Sequence, residues 1–262
     1  MSGQVFEPDP SWGPTARARP PRRTKTAMVV AQRIVEEISS RDYGPGTKLP
    51  PERDMLAKYE VGRGTLRESL RFLEMNGVVT VKPGPGGGPI VAMPDAQDLA
   101  GTLGLFLELQ GTEFGAILQV REVLEPAIAG LTAERNDEKV VEALGESVEA
   151  MQANLSDLDH FLLENERFHH LVAAGAGNPI FSLLIGSLNH IADGTRVGVN
   201  FPTSRRKAVA TAHSDIYDAI RKADREGAAA EMARHVEAFR RYTEKHHAAA
   251  ITSPLRWRDI AP

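Results

Sequence analysis

The strongest constraint on the fold is one hairpin signal in a chain that otherwise has helical patterns. The runs "VVTVK" (78–82) and "PIVA" (89–92) are short and rich in β-branched residues, and the flexible "PGPGGG" (83–88) lies between them. This arrangement predicts two paired strands with a mobile tip. Because apolar residues recur at helical spacing before and after it, the sequence predicts a mainly α protein with one small sheet.

Three helical segments precede the hairpin. The first is predicted from Ala27 to the helix-breaking "RDYGPGTKLP", the second begins at Pro51, and the third ends at Asn76 and Gly77. Three helices with a tight turn between the last two, followed by a hairpin, form a winged helix-turn-helix. In that arrangement the third helix lies in the major groove of DNA.

The predicted third helix carries a row of arginines. Arg63, Arg67 and Arg71 are four residues apart and therefore lie near one face. Guanidinium groups can donate two parallel hydrogen bonds to guanine or neutralise phosphates. Arg71, two turns into the helix, is expected to contact phosphate. A solvated face is the alternative for such a row, but the hairpin and the preceding helix favour DNA binding.

Composition supports two modules with different partners. Residues 1–93 hold 14 Lys and Arg against 10 Asp and Glu, whereas the remainder holds 17 against 25. A basic module for a polyanion is thus joined to an acidic one. Cysteine is absent, so a metal would need His, Asp, Glu or Asn ligands. Since no apolar run suits a membrane helix or a signal peptide, the cytoplasm is the expected location.

The segment "KLPPERDMLAKYEVGRGTLRESLRFLEMNGVVTVKPGPGGGPIVA" resembles the DNA-binding domain of GntR-type bacterial transcription regulators. Pro51 and Gly62 stand where that family usually has serine, so two hydroxyl caps or contacts are missing. The resemblance implies DNA contacts on the second and third helices and in the wing, by Arg53, Arg63, Thr65, Arg67, Lys82 and Gly86.

Beyond Pro94 the pattern is helical throughout, which predicts an all-α antiparallel bundle of six or seven helices. The predicted organisation is a disordered basic arm (1–23), the winged domain (24–93), a linker (94–96), an effector-binding and dimerisation domain (97–250) and a tail (251–262). The predicted helices span 97–109, 113–134, 138–154, 157–174, 179–198, 204–224 and 228–247, with glycines, prolines and Asn-Asp between them.

Histidines in this second domain have spacings that suit a metal site. Asn165 and His169 are four apart and share a helical face, and His213 and His235 lie at similar heights if Gly227 turns the chain back. Three imidazoles and an amide oxygen would bind a divalent metal with open positions. From the spacing alone, scattered core histidines remain the alternative.

The segments "REVLEPAIAGL" and "NERFHHLVAAGAGNP", with His213 and His235, resemble the FCD ligand-binding domain of FadR-type GntR regulators. The resemblance implies that Asn165, His169 and these two histidines hold zinc, nickel or manganese, and that a carboxylate effector completes the coordination. It also implies that Arg121 pairs with the effector carboxylate. A local pair with Glu125 is the alternative for Arg121, and some members of this branch respond to acyl-CoA without a metal.

An enzyme is a weaker alternative. Glu166 with His169, and Glu244 with His247, repeat the Glu-x-x-His element of di-iron carboxylate bundles, but two further inward glutamates are needed. A metal-independent architectural DNA-binding protein is a third possibility. The sequence instead predicts a homodimeric, effector-responsive repressor that acts without catalysis on a palindromic double-stranded DNA operator.

Overall fold

The computed structural model describes residues 22–84, 86–191 and 194–260. One compact unit ends at Met93 and a second begins at Pro94. Within these ranges the chain is mostly helical, with one two-stranded sheet. No helix of the described ranges is long and apolar enough to cross a membrane. The predicted fold class, a winged helix-turn-helix followed by a helical bundle, is confirmed.

The first unit contains three helices and the hairpin. Its elements are α1 (Arg22–Ser40), α2 (Glu52–Tyr59), α3 (Arg63–Met75), β1 (Val79–Lys82) and β2 (Gly88–Val91). The strands are antiparallel, with Val79 opposite Val91 and Lys82 opposite Gly88. Because α1 begins at Arg22, the last two residues of the predicted arm are helical, and the rest of that arm lies outside the described residues.

The apolar face of α3 fixes its orientation in this unit. Leu66, Leu70 and Leu73 are buried, and α3 packs on α1. Between these leucines the buried Ser69 hydroxyl donates a hydrogen bond of 2.8 Å to the backbone carbonyl of Ala27 on α1. Apolar burial and this hydrogen bond hold one face of α3 inward, so the opposite face is presented to solvent.

The turn between α2 and α3 is short and lacks side-chain caps. Glu60 ends α2 in the left-handed region, with φ of 54°. Pro51 precedes α2 and Gly62 precedes α3, and neither provides a side-chain hydrogen bond to its helix. Neither residue has a hydroxyl that could cap its helix, and at the start of α3 glycine in place of serine costs only a few tenths of a kcal/mol.

The second unit consists of seven long helices and one short one in the described part of the chain. They are α4 (Ala96–Leu109), α5 (Phe114–Arg135), α6 (Glu138–Ala153), α7 (Leu158–Gly175), α8 (Pro179–Ile191), α9 (Thr203–Arg221), α10 (Arg225–His246) and α11 (Ala248–Ile251). The helix predicted over 179–198 is shorter than expected. It ends at Ile191, and a 3-10 turn over Gly194–Val197 leads to Gly198, whose φ of 83° cannot continue a helix.

Helix α5 is the central element of the second unit and packs against α7, α9 and α10. Its apolar residues Phe114 and Ile128 join Phe168 of α7 and Ile216 of α9 in one buried cluster. The same helix also buries two charged side chains, which is unusual in an apolar core. These two residues belong to the site described below.

The segment predicted as a tail packs into the second unit. Leu255 and Ile260 are 3% and 2% exposed and belong to its main apolar cluster. The backbone N–H of Leu255 donates to the Thr112 carbonyl, and the indole N–H of Trp257 donates to the Gly101 carbonyl. These apolar residues lack a helical or strand period, so the sequence contained no signal for their burial.

Candidate metal centre and nucleic-acid interface

The arginine row lies on the solvent side of α3. Arg63, Arg67 and Arg71 are all exposed, whereas Thr65 is partly buried. The Arg67 Nε atom lies 3.2 Å from Oε1 of Glu52 on α2. Because an exposed ion pair contributes about 1 kcal/mol or less, Arg67 can exchange Glu52 for a phosphate or a base at little cost.

The other predicted DNA contacts also lie at the surface of the first unit. The side chain of Arg53 on α2 is 96% exposed, and Lys82 is exposed at the end of β1. Gly86 adopts a φ of 77° in the wing, a conformation that glycine takes without strain. All seven predicted DNA contacts are thus on α2, α3 or the wing, and only Thr65 among them is partly buried.

Three histidines from three helices meet in the second unit. His169 of α7, His213 of α9 and His235 of α10 are 2%, 0% and 6% exposed. The Nε2 atom of His235 lies 3.3 Å from Nε2 of His169 and 3.4 Å from Nε2 of His213. Three bonds of about 2.1 Å to one tetrahedral ion would separate the nitrogens by about 3.4 Å. The cluster therefore fits a single divalent metal.

A buried carboxylate on α5 orients this cluster. The Oε2 atom of Glu125 lies 2.5 Å from Nδ1 of His169, and Oε1 accepts a hydrogen bond from Nε of Arg121. If the imidazole donates its Nδ1–H to this carboxylate, its lone pair is on Nε2 and faces the other two histidines. Glu125 thus sets the tautomer that a metal ligand requires.

The charge states of these groups also suit metal binding. Burial and the neighbouring His235 and His169 hold the pKa of His213 well below its ordinary value. Burial, His169, Arg121 and Arg205 likewise lower the pKa of His235. Neutral imidazole is the form that binds a metal.

For Glu125 burial alone would raise the pKa, but Arg121 and His169 lower it below its usual range, so the group remains a carboxylate. A further polar atom of the cluster is Nδ1 of His213. It is buried without a hydrogen-bond partner in the described part of the chain, and its ring stacks on Phe168 at 3.9 Å. With a metal bound at Nε2, the Nδ1 atom of a neutral imidazole carries the proton, so this buried N–H would still need an acceptor.

A cavity of about 370 Å³ opens beside the cluster. Arg121, His169 and His235 line it, and so does Asn165, one helical turn before His169. This volume is in the range of small-molecule sites. The structure thus brings the three predicted imidazoles together and places Asn165 and Arg121 on the same cavity.

Family models match both units of the chain. The model of the bacterial regulatory proteins of the gntR family matches residues 26–87, and the FCD domain model matches residues 116–238. The chain belongs to the GntR family. The His cluster and its cavity lie in the FCD part of this GntR-family protein.

Known relatives agree with this assignment. The HTH-type transcriptional repressor NanR of Escherichia coli K12 and that of Shigella flexneri are each 28% identical over 184 residues, 69% of this chain and 69% of theirs. A solved structure of GntR from Streptococcus agalactiae aligns with a TM-score of 0.67 and 26% identity, over 82% of this chain and 99% of that one. The GntR-family chain is a transcription regulator, not an enzyme.

The di-iron alternative lacks support in the site. The group that could hold a metal within the described ranges contains three imidazoles and no glutamate. Glu166 is exposed, and Glu244 accepts a hydrogen bond from Arg240. The glutamates of the two Glu-x-x-His elements are therefore engaged elsewhere or solvated.

Sequence patterns missed part of the site. Glu125 was considered only as a local partner of Arg121, and its contact with His169 spans 44 residues of sequence. The cavity lining also includes Asn189 and Arg205, for which no motif gave a signal. The local Arg121–Glu125 pair does form, but both side chains are buried, so removal of one partner costs more stability than it would for the exposed pair considered from the sequence.

Proposed function

We propose that this GntR-family chain is a homodimeric repressor whose FCD domain binds a divalent metal and a small carboxylate effector. The observation that carries the proposal is the convergence of three buried Nε2 atoms, 3.3 and 3.4 Å apart, beside a cavity. The named relatives are repressors, which supports the same role here. Effector binding changes the affinity of the winged domains for a palindromic operator.

The metal ligands are His169, His213 and His235, and the metal is zinc, nickel or manganese. Asn165 offers an amide oxygen from the same cavity as a further ligand. When bound, the metal would act as a Lewis acid that attracts a carboxylate oxygen. Glu125 holds the His169 ring in the binding tautomer, which is the common role of an outer-shell carboxylate.

Arg121 borders the same metal position. Its Nη2 atom lies 3.5 Å from Nε2 of His169, while its Nε is engaged by Glu125. Its guanidinium edge therefore remains close enough to the metal to donate to an effector carboxylate. In this proposal Arg121 both neutralises Glu125 and contributes to effector binding.

The general test is a thermal-shift screen of sugar acids and other small carboxylates, with and without added divalent metal. A carboxylate that raises the melting temperature only of metal-loaded protein supports the proposal. Stabilisation by acyl-CoA of metal-free protein would instead favour the metal-independent alternative. No response to any small molecule would favour the architectural one.

Replacement of arginines on α3 tests the DNA interface. Arg63→Ala or Arg67→Ala is expected to weaken specific operator binding by about 1 to 3 kcal/mol, because each removes a guanidinium from the exposed face of α3. Arg71→Ala is expected to reduce the salt dependence with less loss of sequence discrimination. Fluorescence anisotropy with operator and scrambled duplexes, at several salt concentrations, measures both quantities.

The matched control for charge is Arg234→Ala, since Arg234 is an exposed arginine of α10 in the other unit. It is expected to leave operator affinity unchanged. If Arg63→Ala, Arg67→Ala and Arg71→Ala all bind operator as tightly as wild type, α3 is not the recognition helix.

A dimer is proposed because two-fold symmetric pairing doubles the contacts on a palindrome. Helix α5 exposes apolar side chains along one stripe, with Val120 42% and Val123 73% exposed. A second copy would bury this stripe. Val123→Asp is therefore expected to shift the protein from dimer to monomer in sedimentation velocity at micromolar concentration. A variant that sediments as wild type, or a monomeric wild type, contradicts this arrangement.

A further inference from the structure

One cation that lines the cavity has no acidic partner among the described residues. Arg205, in the first turn of α9, lines the cavity, and its guanidinium lies 4.8 Å from the Tyr242 ring centroid and 6.0 Å from that of Phe239. Its Nε atom is buried and has no hydrogen-bond partner among the described residues. Burial accordingly lowers the pKa of this arginine. Aromatic rings hold the cation in place, and within the described ranges no carboxylate forms an ion pair with it.

The two arginines that line the cavity differ in whether they have an acidic partner. Arg121 is already neutralised by Glu125, whereas Arg205 has donors to spare. The other charged residue of the lining, Glu166, is exposed to solvent. Arg205 is half-buried, and it has no acidic partner among the described residues. A partly desolvated cation of this kind beside a cavity indicates that an anion completes it.

An unpaired amide lines the same cavity. Both side-chain polar atoms of Asn189, Oδ1 and Nδ2, are buried and have no hydrogen-bond partner among the residues described. A buried carboxamide normally makes several hydrogen bonds, and each missing one is costly. Together, the amide N–H groups of Asn189 and the guanidinium of Arg205 provide donors for an anionic oxygen.

The rest of the cavity lining limits the kind of ligand that could extend from the proposed metal position to Arg205 and Asn189. Its apolar side chains are Leu162, Phe201, Val209, Val236 and Phe239, with Leu163 at an exposed position. These groups favour a hydrocarbon spacer, and about 370 Å³ admits only a small molecule. A divalent metal with three neutral imidazoles would add further positive charge, so the cavity suits two negative charges better than one.

We propose that Arg205 and Asn189 form a second anion-binding subsite, so that the effector is a small dicarboxylate with one carboxylate at the metal and the other at Arg205. This inference rests on the metal and carboxylate function proposed above and specifies the ligand class of that site. Arg205 is then the residue that distinguishes a dicarboxylate from a monocarboxylate.

The test is calorimetric titration of full-length, zinc-loaded protein with malonate, succinate, glutarate and adipate, and with the monomethyl ester of each. At least one diacid is expected to bind about 10- to 100-fold more tightly than its own monoester, because the ester lacks the charge-assisted hydrogen bonds. In Arg205→Met this difference is expected to vanish, through loss of diacid affinity alone. Lys207→Met removes an exposed cation from the same helix and should retain the difference.

Melting temperature without ligand gives an independent measurement. Arg205→Met is expected to melt at or above the wild-type temperature, because it removes a half-buried charge that has no acidic partner among the described residues. A variant that melts well below wild type would show that the arginine is structural and overturn the inference.

The inference also fails if no diacid binds more tightly than its monoester, or if the difference persists in Arg205→Met. Monoesters that bind only the zinc-loaded protein, with no gain from a second carboxylate, would leave the proposed function intact and reject only the subsite. Failure of the protein to bind any of zinc, nickel and manganese would reject the proposed function itself.

Discussion

Arg121→Met is expected to lower the free energy of unfolding of the metal-free protein by about 3 to 5 kcal/mol, the usual cost of removing one partner from a buried ion pair. Arg121 and Glu125 are 8% and 2% exposed. Without the guanidinium, the Glu125 carboxylate would remain buried with His169 Nδ1 as its partner. Urea denaturation followed by far-ultraviolet circular dichroism measures the change.

Two comparisons make this result specific to the buried pair. Arg234→Met breaks an exposed pair with Glu231 and should cost about 1 kcal/mol or less. The double variant Arg121→Met with Glu125→Leu removes both charges and should recover most of the lost stability. A loss below about 1 kcal/mol for Arg121→Met alone would show that the pair is no stronger than an exposed one.

This expectation changes how Arg121 can be tested as an effector contact. The i, i+4 spacing of Arg121 and Glu125 suggests a local pair of a few tenths of a kcal/mol, the typical value on an exposed helix. Because the pair is buried, the stability lost on removing one partner is about ten times larger. The spacing alone contains no information about burial. A loss of ligand binding in Arg121→Met must therefore be compared with its metal content and its fold.

Local patterns predicted those features whose causes are local. The hairpin followed from β-branched runs around glycines, and the exposed arginines of α3 followed from helical spacing opposite to leucines. The match between His213 and His235 also follows from the sequence. The turn itself was predicted at the wrong residue, because Gly227 lies inside α10 and the chain turns at Asp224, which caps that helix. Asp224 is midway between the two histidines, and antiparallel helices place residues equidistant from a tight turn side by side.

Other parts of the site depend on packing between distant segments. Glu125 meets His169 only because α5 packs against α7, and Arg205 meets Tyr242 only because α9 packs against α10. The burial of Ile260 has a similar origin, since its partner Gly104 on α4 must lack a side chain to admit it. No spacing rule connects these pairs, so sequence alone could not predict them.

The cavity reaches the first turn of α4, the helix that begins two residues after Pro94. Gln97 of this turn lines the cavity, and the Ser187 hydroxyl on α8 donates a hydrogen bond of 2.9 Å to the Ala96 carbonyl. A ligand in the cavity can therefore contact the first turn of α4, close in sequence to the start of the second unit. A coupling of about 1 to 3 kcal/mol between effector and operator binding is expected.

His235→Ala is expected to remove both the metal and this coupling. Loss of one of three imidazole ligands should weaken metal binding by more than about 100-fold, because loss of an outer-shell partner already costs about 10- to 100-fold. His235 is the better choice than His213, whose ring is fully buried against Phe168 and would leave a cavity. The variant should remain folded, since the apolar faces of the helices do not depend on the ligands.

Plasma mass spectrometry of protein purified without chelator should show near one metal per chain in wild type and almost none in His235→Ala. Operator affinity without effector should match wild type, because the arginines of α3 are untouched, whereas the response to a carboxylate should be lost. His170→Ala is the matched control, since this histidine is adjacent to His169 but exposed. Unchanged metal content in His235→Ala, or a metal-free variant that still responds to the effector, would contradict a metal-assisted switch.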